Sequence, residues 1–378
     1  WLVDTMYCLI KNKINFKKTI KDILFLSISI IISLLMVSDP YYDIYKFQSK
    51  SNRGSISVLD QTDDTKKGTS WDYATQWSFH PLETISFIYP YYYGLQNFSV
   101  KNKSEPRKFM KQASYWGYMP FTQSTHYLGL LIVILSFFSL WYYFRYKEQN
   151  SSEVILWIIS FIILVIGFGS HLPLFYKPLF KFAPFFSKFR VPSMIYMMLS
   201  LTMPMIAAIS MDKIINEKYK KEIFSNSLKV FGVFILSSII LFMFGESLLS
   251  FSSSGDNRFI HFLGIVKDIR IELFNKGIFL ALLICFGAVT LIFLYSKNRI
   301  SKEVFSYLFT AILIIDLWVV NNEFLSLKDS KSMKNQFIQT QNIKYLNADT
   351  SAYRIFPADE IEATKYGYWN IQSIGGYH

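Results

Sequence analysis

Four small groups of residues have types and spacings that could do chemistry. In Gln76-Trp77-Ser78-Phe79-His80-Pro81-Leu82-Glu83, a histidine and a carboxylate lie three residues apart. Three residues is one helical turn, so the pair could share a face and form part of a site. The same stretch also reads as an interfacial helix that only anchors its loop. The segment 171–193 carries four cations, Lys177, Lys181, Lys188 and Arg190, four prolines and no acid. Arg190 has a planar fork suited to phosphate, and Lys188 would be its neighbour. The segment is either a cradle for a lipid-linked phosphate or pyrophosphate, or an anchor whose cations snorkel to headgroups. Trp116 and Tyr118 could stack on the apolar C–H faces of a sugar ring, or pack on headgroups. Asp316 is the main charge inside an apolar run. An intramembrane acid is costly and is a functional candidate by default. It lies about two turns from the end of its run, so a helix-packing role is the other reading. No residue cluster suggests a metal site.

The elements that must carry these residues are apolar helices. Of 378 residues, 52% are hydrophobic, 18% aromatic and only 17% charged. Seven runs are nearly free of charge: Ile23–Ser38, Tyr127–Phe144, Val154–Ser170, Val191–Ser210, Leu228–Leu249, Gly277–Tyr295 and Val304–Val320. Most reach the roughly 17–25 residues that a bilayer core asks of a helix. The expectation is an all-α polytopic membrane protein with about seven transmembrane helices. Pro81 suits the first turn of a short helix preceded by Ser78 or His80, with Glu83 favourable to its dipole.

Composition excludes several classes. The chain is too rich in Phe, Ile and Leu to be disordered. Two distant cysteines, Cys8 and Cys285, exclude a disulfide-stapled scaffold and a four-cysteine zinc site. The net charge of +12 raises the question of nucleic acid, but no helix-turn-helix, RNA-binding or zinc motif accompanies it. Its distribution points to topology instead. The connections 11–21, 145–153, 211–229 and 297–303 hold 15 Lys or Arg in 46 residues; the others hold 24 in 194. The positive-inside rule places the short basic loops in the cytoplasm. The large connections 39–126, 171–190, 249–276 and 321–378 then lie outside, and 249–276 reads as a polar loop. Three regions follow: 1–22, the end of a preceding span plus a cytoplasmic loop; 23–320, a seven-span domain whose outer loop 39–126 carries the interfacial helix; and 321–378, the start of a C-terminal extracytoplasmic region. The chain starts at Trp1, so it reads as a fragment of a longer protein.

Several blocks together resemble the bacterial YfhO family of membrane proteins. The first is Gln76–Glu83 followed by Pro90-Tyr91-Tyr92-Tyr93-Gly94. The next is Tyr115-Trp116-Gly117-Tyr118-Met119-Pro120-Phe121 with Tyr127-Leu128-Gly129. Then come Pro184-Phe185-Phe186 through Phe189-Arg190-Val191-Pro192-Ser193, and Asp316-Leu317-Trp318 with Asn321-Asn322. Tyr366-Gly367-Tyr368 and Ser373-Ile374-Gly375-Gly376-Tyr377 complete the series.

That family is similar to GT-C glycosyltransferases, which take a sugar from a polyprenyl-phosphate donor on the outer membrane face. Some members are implicated in decorating envelope polymers such as lipoteichoic acid. The resemblance implies a polyprenyl-phosphate-linked sugar and an envelope polymer or lipid acceptor as partners, in the bacterial cytoplasmic membrane. It implies Arg190 and Lys188 at the donor phosphate and Trp116 and Tyr118 at a sugar subsite. The resemblance fixes no cofactor; the leaving phosphate needs cationic side chains or a divalent cation to stabilise it. In the GT-C fold the catalytic acid lies in the first external loop, which would precede Trp1. No residue here takes that role, and Glu83 and His80 are secondary candidates. The competing functions are a lipid-linked-glycan transporter or flippase, and a non-catalytic scaffold for envelope assembly.

Overall fold

A computed structural model describes residues 16–48, 70–95, 98–101, 109–112, 114–119, 126–146, 151–184, 186–215, 220–259, 263–325, 329–335, 337–360 and 365–374. The expected end of a preceding span at 1–10, most of the polar stretch 46–72 and Gly375–His378 lie outside the described residues. The chain divides into two compact units, Trp1–Val320 and Asn321–His378.

The first unit is built of helices: α1 (Phe16–Met36), α2 (Ser38–Gln48), α3 (Leu130–Tyr146), α4 (Ser151–Gly167), α5 (Pro173–Phe182), α6 (Leu199–Ile215), α7 (Lys220–Leu248), α8 (Leu263–Ser296) and α9 (Lys302–Phe324). One short hairpin joins them, β1 (Phe98–Lys101) antiparallel to β2 (Phe109–Gln112), with Phe98 opposite Gln112. Four helical stretches are long and apolar enough to cross a membrane: Pro192–Ile215, Glu222–Leu248, Gly264–Ser296 and Lys302–Phe324. α1 and α2 meet at a 61° bend and together could make one more. α3 and α4, at 17 residues each, sit at the lower limit for a span. This is a helical membrane-protein architecture.

α3 is the centre. Leu130 to Leu135 and Phe138 are all buried, so the first half of the helix is enclosed, while Phe137 and Phe144 farther along are exposed. It packs on α6 and α7; α4 packs on α6; α7 and α8 pair along their length. Helices in lipid gain little from burying apolar surface against each other, so close packing and small polar residues hold them. Here Ser136 Oγ donates to the Met203 carbonyl (3.0 Å), Ser210 Oγ to the Leu135 carbonyl (2.5 Å), and Ser160 Oγ to Thr202 Oγ1 (2.8 Å). Glu153 on α4 pairs with Lys213 on α6 at 2.7 Å and also accepts the Ser139 hydroxyl. The outward faces of these helices stay apolar and exposed, as a lipid-facing surface does.

One expectation needs correction. The stretch 249–276 is not a loop throughout, because α8 begins at Leu263, fourteen residues ahead of its charge-free run. Val266, Ile269 and Leu273 recur at helical spacing and are buried. Ile269 and Leu273 bury Tyr91 and Leu95 of the aromatic Pro90–Leu95 turn. That burial compensates for the charged residues on the opposite face of the extension.

Candidate functional site

The segment 71–95 forms a cap on the helical unit. Ser70 caps a short helix Trp71–Ala74, and a 3₁₀ helix runs Pro81–Phe87. His80 is its N-cap: Nδ1 accepts the Leu82 N–H at 3.2 Å, which is the role sequence assigned to Ser78 or His80. Phe79 N–H reaches the Gly167 carbonyl (3.0 Å), and Ser78 Oγ accepts the Ser170 N–H (2.9 Å). These bonds dock the cap on the end of α4. Gly169 permits that approach, since a Cβ there would lie 2.1 Å from Ser78 Oγ and its φ is +50°. Tyr89 fastens the other end, its hydroxyl lying 3.0 and 2.9 Å from Ser237 and Ser238 of α7.

Glu83 faces inward from the 3₁₀ helix and is 3% exposed. Its Oε1 accepts the Tyr115 hydroxyl (2.8 Å) and the N–H groups of Tyr118 (2.5 Å) and Met119 (3.2 Å). Burial pushes its carboxyl above the ordinary range, against the downward pull of those three bonds. Beside it is a cavity of about 10 Å³, lined also by Phe79, Tyr93 and His126, with room for about one water. Glu83 therefore organises the turn Tyr115–Met119.

That turn is held from behind by Arg270 of α8, 2% exposed. Arg270 Nη1 and Nη2 donate to the two carboxylate oxygens of Asp256 at 2.8 and 2.7 Å. Nε donates to the Ser114 carbonyl (2.9 Å), Nη1 also to Phe251 (2.8 Å) and Nη2 to Tyr115 (3.4 Å). Burial alone would raise the Asp256 carboxyl, but the Arg270 and Ser253 hydrogen bonds hold it below the usual range. Sequence reading missed this pair. The helical spacing of Val266, Ile269 and Leu273 is the signal that would have moved Arg270 from a loop onto a helix.

Trp116 is half-buried, with ring centroids 4.8 Å from Tyr93 and 5.4 Å from Phe251. Tyr118 is 54% exposed and stacks on His80 at 3.9 Å. His171 meets the other edge of His80 at 4.8 Å. Burial lowers the affinity of both imidazoles for a proton, and His80 lowers that of His171 further.

Arg190 lies at the start of the fourth expected span. Its guanidinium carbon sits 4.3 Å from the Tyr73 ring centroid and 4.5 Å from that of Trp77. Nη1 donates to the Tyr73 hydroxyl (3.2 Å) and Nη2 to Gln76 Oε1 (2.5 Å). The buried Nε has no partner among the described residues. Two non-glycine residues at this contact adopt left-handed backbone, Trp77 at φ +56° and the β-branched Val191 at φ +62°. Each such conformation costs about 1–3 kcal/mol and persists only where its surroundings impose it. Lys188 closes the 3₁₀ turn Phe186–Lys188 beside it. On α5, Lys177 and Lys181 are exposed, as are Leu174, Phe175 and Phe182, and Phe189 beyond the helix is exposed too.

Asp316 is fully buried, and it caps α3 from α9. Oδ1 accepts the Tyr127 hydroxyl and Oδ2 the Leu131 N–H (3.2 Å), while Tyr127 Oη accepts the Leu130 N–H (2.9 Å). It satisfies N–H groups that α3 cannot pair within itself. The structure thus brings His80, Glu83, Tyr118 and Arg190 onto one cap and gives Asp316 a helix-capping position. Among the described residues no three His, Cys, Asp or Glu side chains are grouped so as to hold a metal ion. Comparison with protein-family models, curated proteins and solved structures finds no match.

Proposed function

We propose that this chain is a membrane glycosyltransferase. It would move a sugar from a polyprenyl-phosphate donor to an envelope glycopolymer or lipid acceptor, on the outer face of a bacterial cytoplasmic membrane. In this reading all seven apolar helices cross the bilayer in a GT-C-like, YfhO-type arrangement, with the cap outside. The observation that carries it is Arg190, held by strained backbone on both sides of its contact, with its buried Nε unpaired among the described residues. The segment around it pairs cations with exposed Leu and Phe side chains and has no acid. A phosphate on an isoprenoid tail asks for this combination, cations for the head and an apolar bilayer-level surface for the chain.

In the reaction the acceptor hydroxyl oxygen bonds to the anomeric carbon, and the bond from that carbon to the phosphate oxygen breaks. The electron pair leaves with polyprenyl phosphate, and the hydroxyl proton passes to a base. Arg190 and Lys188 stabilise the negative charge that grows on the leaving phosphate. Glu83 is enclosed and already accepts three bonds, so it positions the Tyr115–Met119 turn. The base is left unassigned. A transporter would instead need ionisable groups available at mid-membrane, whereas Asp316 and Glu153 are each bound by donors. The test is sugar transfer in membranes carrying the full-length protein. Arg190→Ala should lower transfer by at least tenfold, and transfer at the wild-type rate would refute the assignment.

A further inference from the structure

The Asn321–His378 unit has a cleft that nothing above uses. It measures about 300 Å³, the lower end of the range for small-molecule sites. One wall is the end of α10 (Gln341–Ala348), a helix capped by Thr340, whose Oγ1 accepts the Ile343 N–H at 3.4 Å. The other is Trp369–Gln372. Ile355 N–H bonds the Gln372 carbonyl (2.9 Å) and Ile374 N–H the Ile355 carbonyl (3.0 Å), which fixes that wall to the chain between them. Tyr353 donates its hydroxyl to the Leu346 carbonyl and ties this chain back to α10. Asn370, at φ +57°, ends the short helix Lys365–Tyr368, a left-handed cap position that Asn tolerates. Backbone bonds therefore shape the cleft.

Its lining selects a ligand class. Trp369 is half-buried and presents an indole; Asn347, Asn370 and Gln372 present amides, with Gln372 Oε1 accepting Arg354 Nε at 3.3 Å; among the described residues that line the cleft, Asp349 is the one charged group. An anion such as a phosphate would meet the Asp349 carboxylate, while Arg354 is engaged by Gln372 and is not among the lining residues. A purely apolar ligand would strand the amides, at about 1–3 kcal/mol for each group left unpaired. A ring with one apolar C–H face and a rim of hydroxyls matches all of these groups. Its face lies on the indole, and its hydroxyls both donate to and accept from the amides and carboxylate. We propose that this cleft binds a neutral saccharide of one or two rings. The inference does not rest on the glycosyltransferase reading, since a chain that transfers no sugar could still hold one here.

The test is saturation-transfer NMR on the full chain in lipid nanodiscs. The probes are the methyl glycosides of glucose, galactose and N-acetylglucosamine, with maltose as a two-ring probe. At least one should receive saturation at its ring protons, and Trp369→Ala should cut that signal at least threefold. Asn347→Ala, a change at an exposed position, should also cut it and covers the case where the tryptophan variant misfolds. Arg190→Ala should leave the signal intact, which separates this cleft from the proposed donor site. No transfer to any probe would overturn the proposal. So would a signal indifferent to both cleft variants, or one lost in Arg190→Ala but kept in Trp369→Ala.

Discussion

Replacing Arg270 by methionine keeps much of the side-chain volume and removes five hydrogen bonds. Two of those run to Asp256, which would then be a nearly buried carboxylate with only the Ser253 N–H (2.8 Å) in support. Removing one partner of a buried ion pair costs about 3–5 kcal/mol. The Ser114 and Phe251 carbonyls also lose their donor, at about 1 kcal/mol or more each. Helix burial around α8 offsets none of this, so Arg270→Met should lose about 4 kcal/mol or more of stability in denaturant unfolding of the purified protein. Arg270→Met with Asp256→Asn removes the stranded charge, so it should lose less than the sum of the single changes by at least about 1 kcal/mol. The Asp256 carboxyl is held below its ordinary value of 3.8, so the stability it adds is present above that value and lost as pH falls through its lower folded value. The gap between wild type and Arg270→Met should therefore narrow below about pH 3.8. Hydrogen exchange across Ser114–Met119 gives a second readout and should quicken in Arg270→Met. A loss below about 1 kcal/mol with unchanged exchange there would refute the claim that Arg270 holds the turn against Glu83.

Three further outcomes follow from the same geometry. Glu83→Gln keeps an acceptor oxygen and should cost under about 1 kcal/mol, while Glu83→Leu strands three donors and should cost about 3 kcal/mol or more, read by the same unfolding measurement. Asp316→Asn should retain the α3 cap at a cost near 1 kcal/mol, whereas Asp316→Leu leaves the Leu131 N–H without its acceptor and should cost about 2–3 kcal/mol. His80, His126 and His171 all have depressed proton affinity when folded, so the unfolded chain binds more protons below its value near 6.5. Stability should fall as pH is lowered from about 7.5 to 5.5. Measured in the Glu83→Gln background, where the raised carboxyl cannot act in the opposite sense, that fall should shrink when His126 is replaced by Gln.

The architecture was largely legible because lipid-facing helices need long charge-free runs, and each of the seven runs falls on a helix. Pro81 and Glu83 marked the start of a short helical turn for a local reason, the geometry of a first turn. What was not legible depended on distant partners. Trp116 looks like an exposed aromatic until Tyr93 and Phe251, which are far from it in sequence, close around it. Arg270 looks like a loop cation because its acceptors come from 114–115 and 251–256. The capping role of Asp316 needed the start of α3, nearly 190 residues earlier, to lie beside it. The Trp77 and Val191 backbones could not be foreseen, since neither residue type favours a positive φ.

The central claim is that the cap reads a phosphate on a lipid tail, and the most direct test is equilibrium binding in nanodiscs. Polyprenyl phosphate would be compared with the matching neutral polyprenol, for wild type and Arg190→Ala. A hydrogen bond to a charged group is worth about 1.5–3 kcal/mol, or roughly tenfold to a hundredfold in affinity. Wild type should prefer the phosphate by at least that margin, and Arg190→Ala should bring the two lipids close together. Equal affinity of wild type for both lipids, or a phosphate preference untouched in Arg190→Ala, would contradict the account.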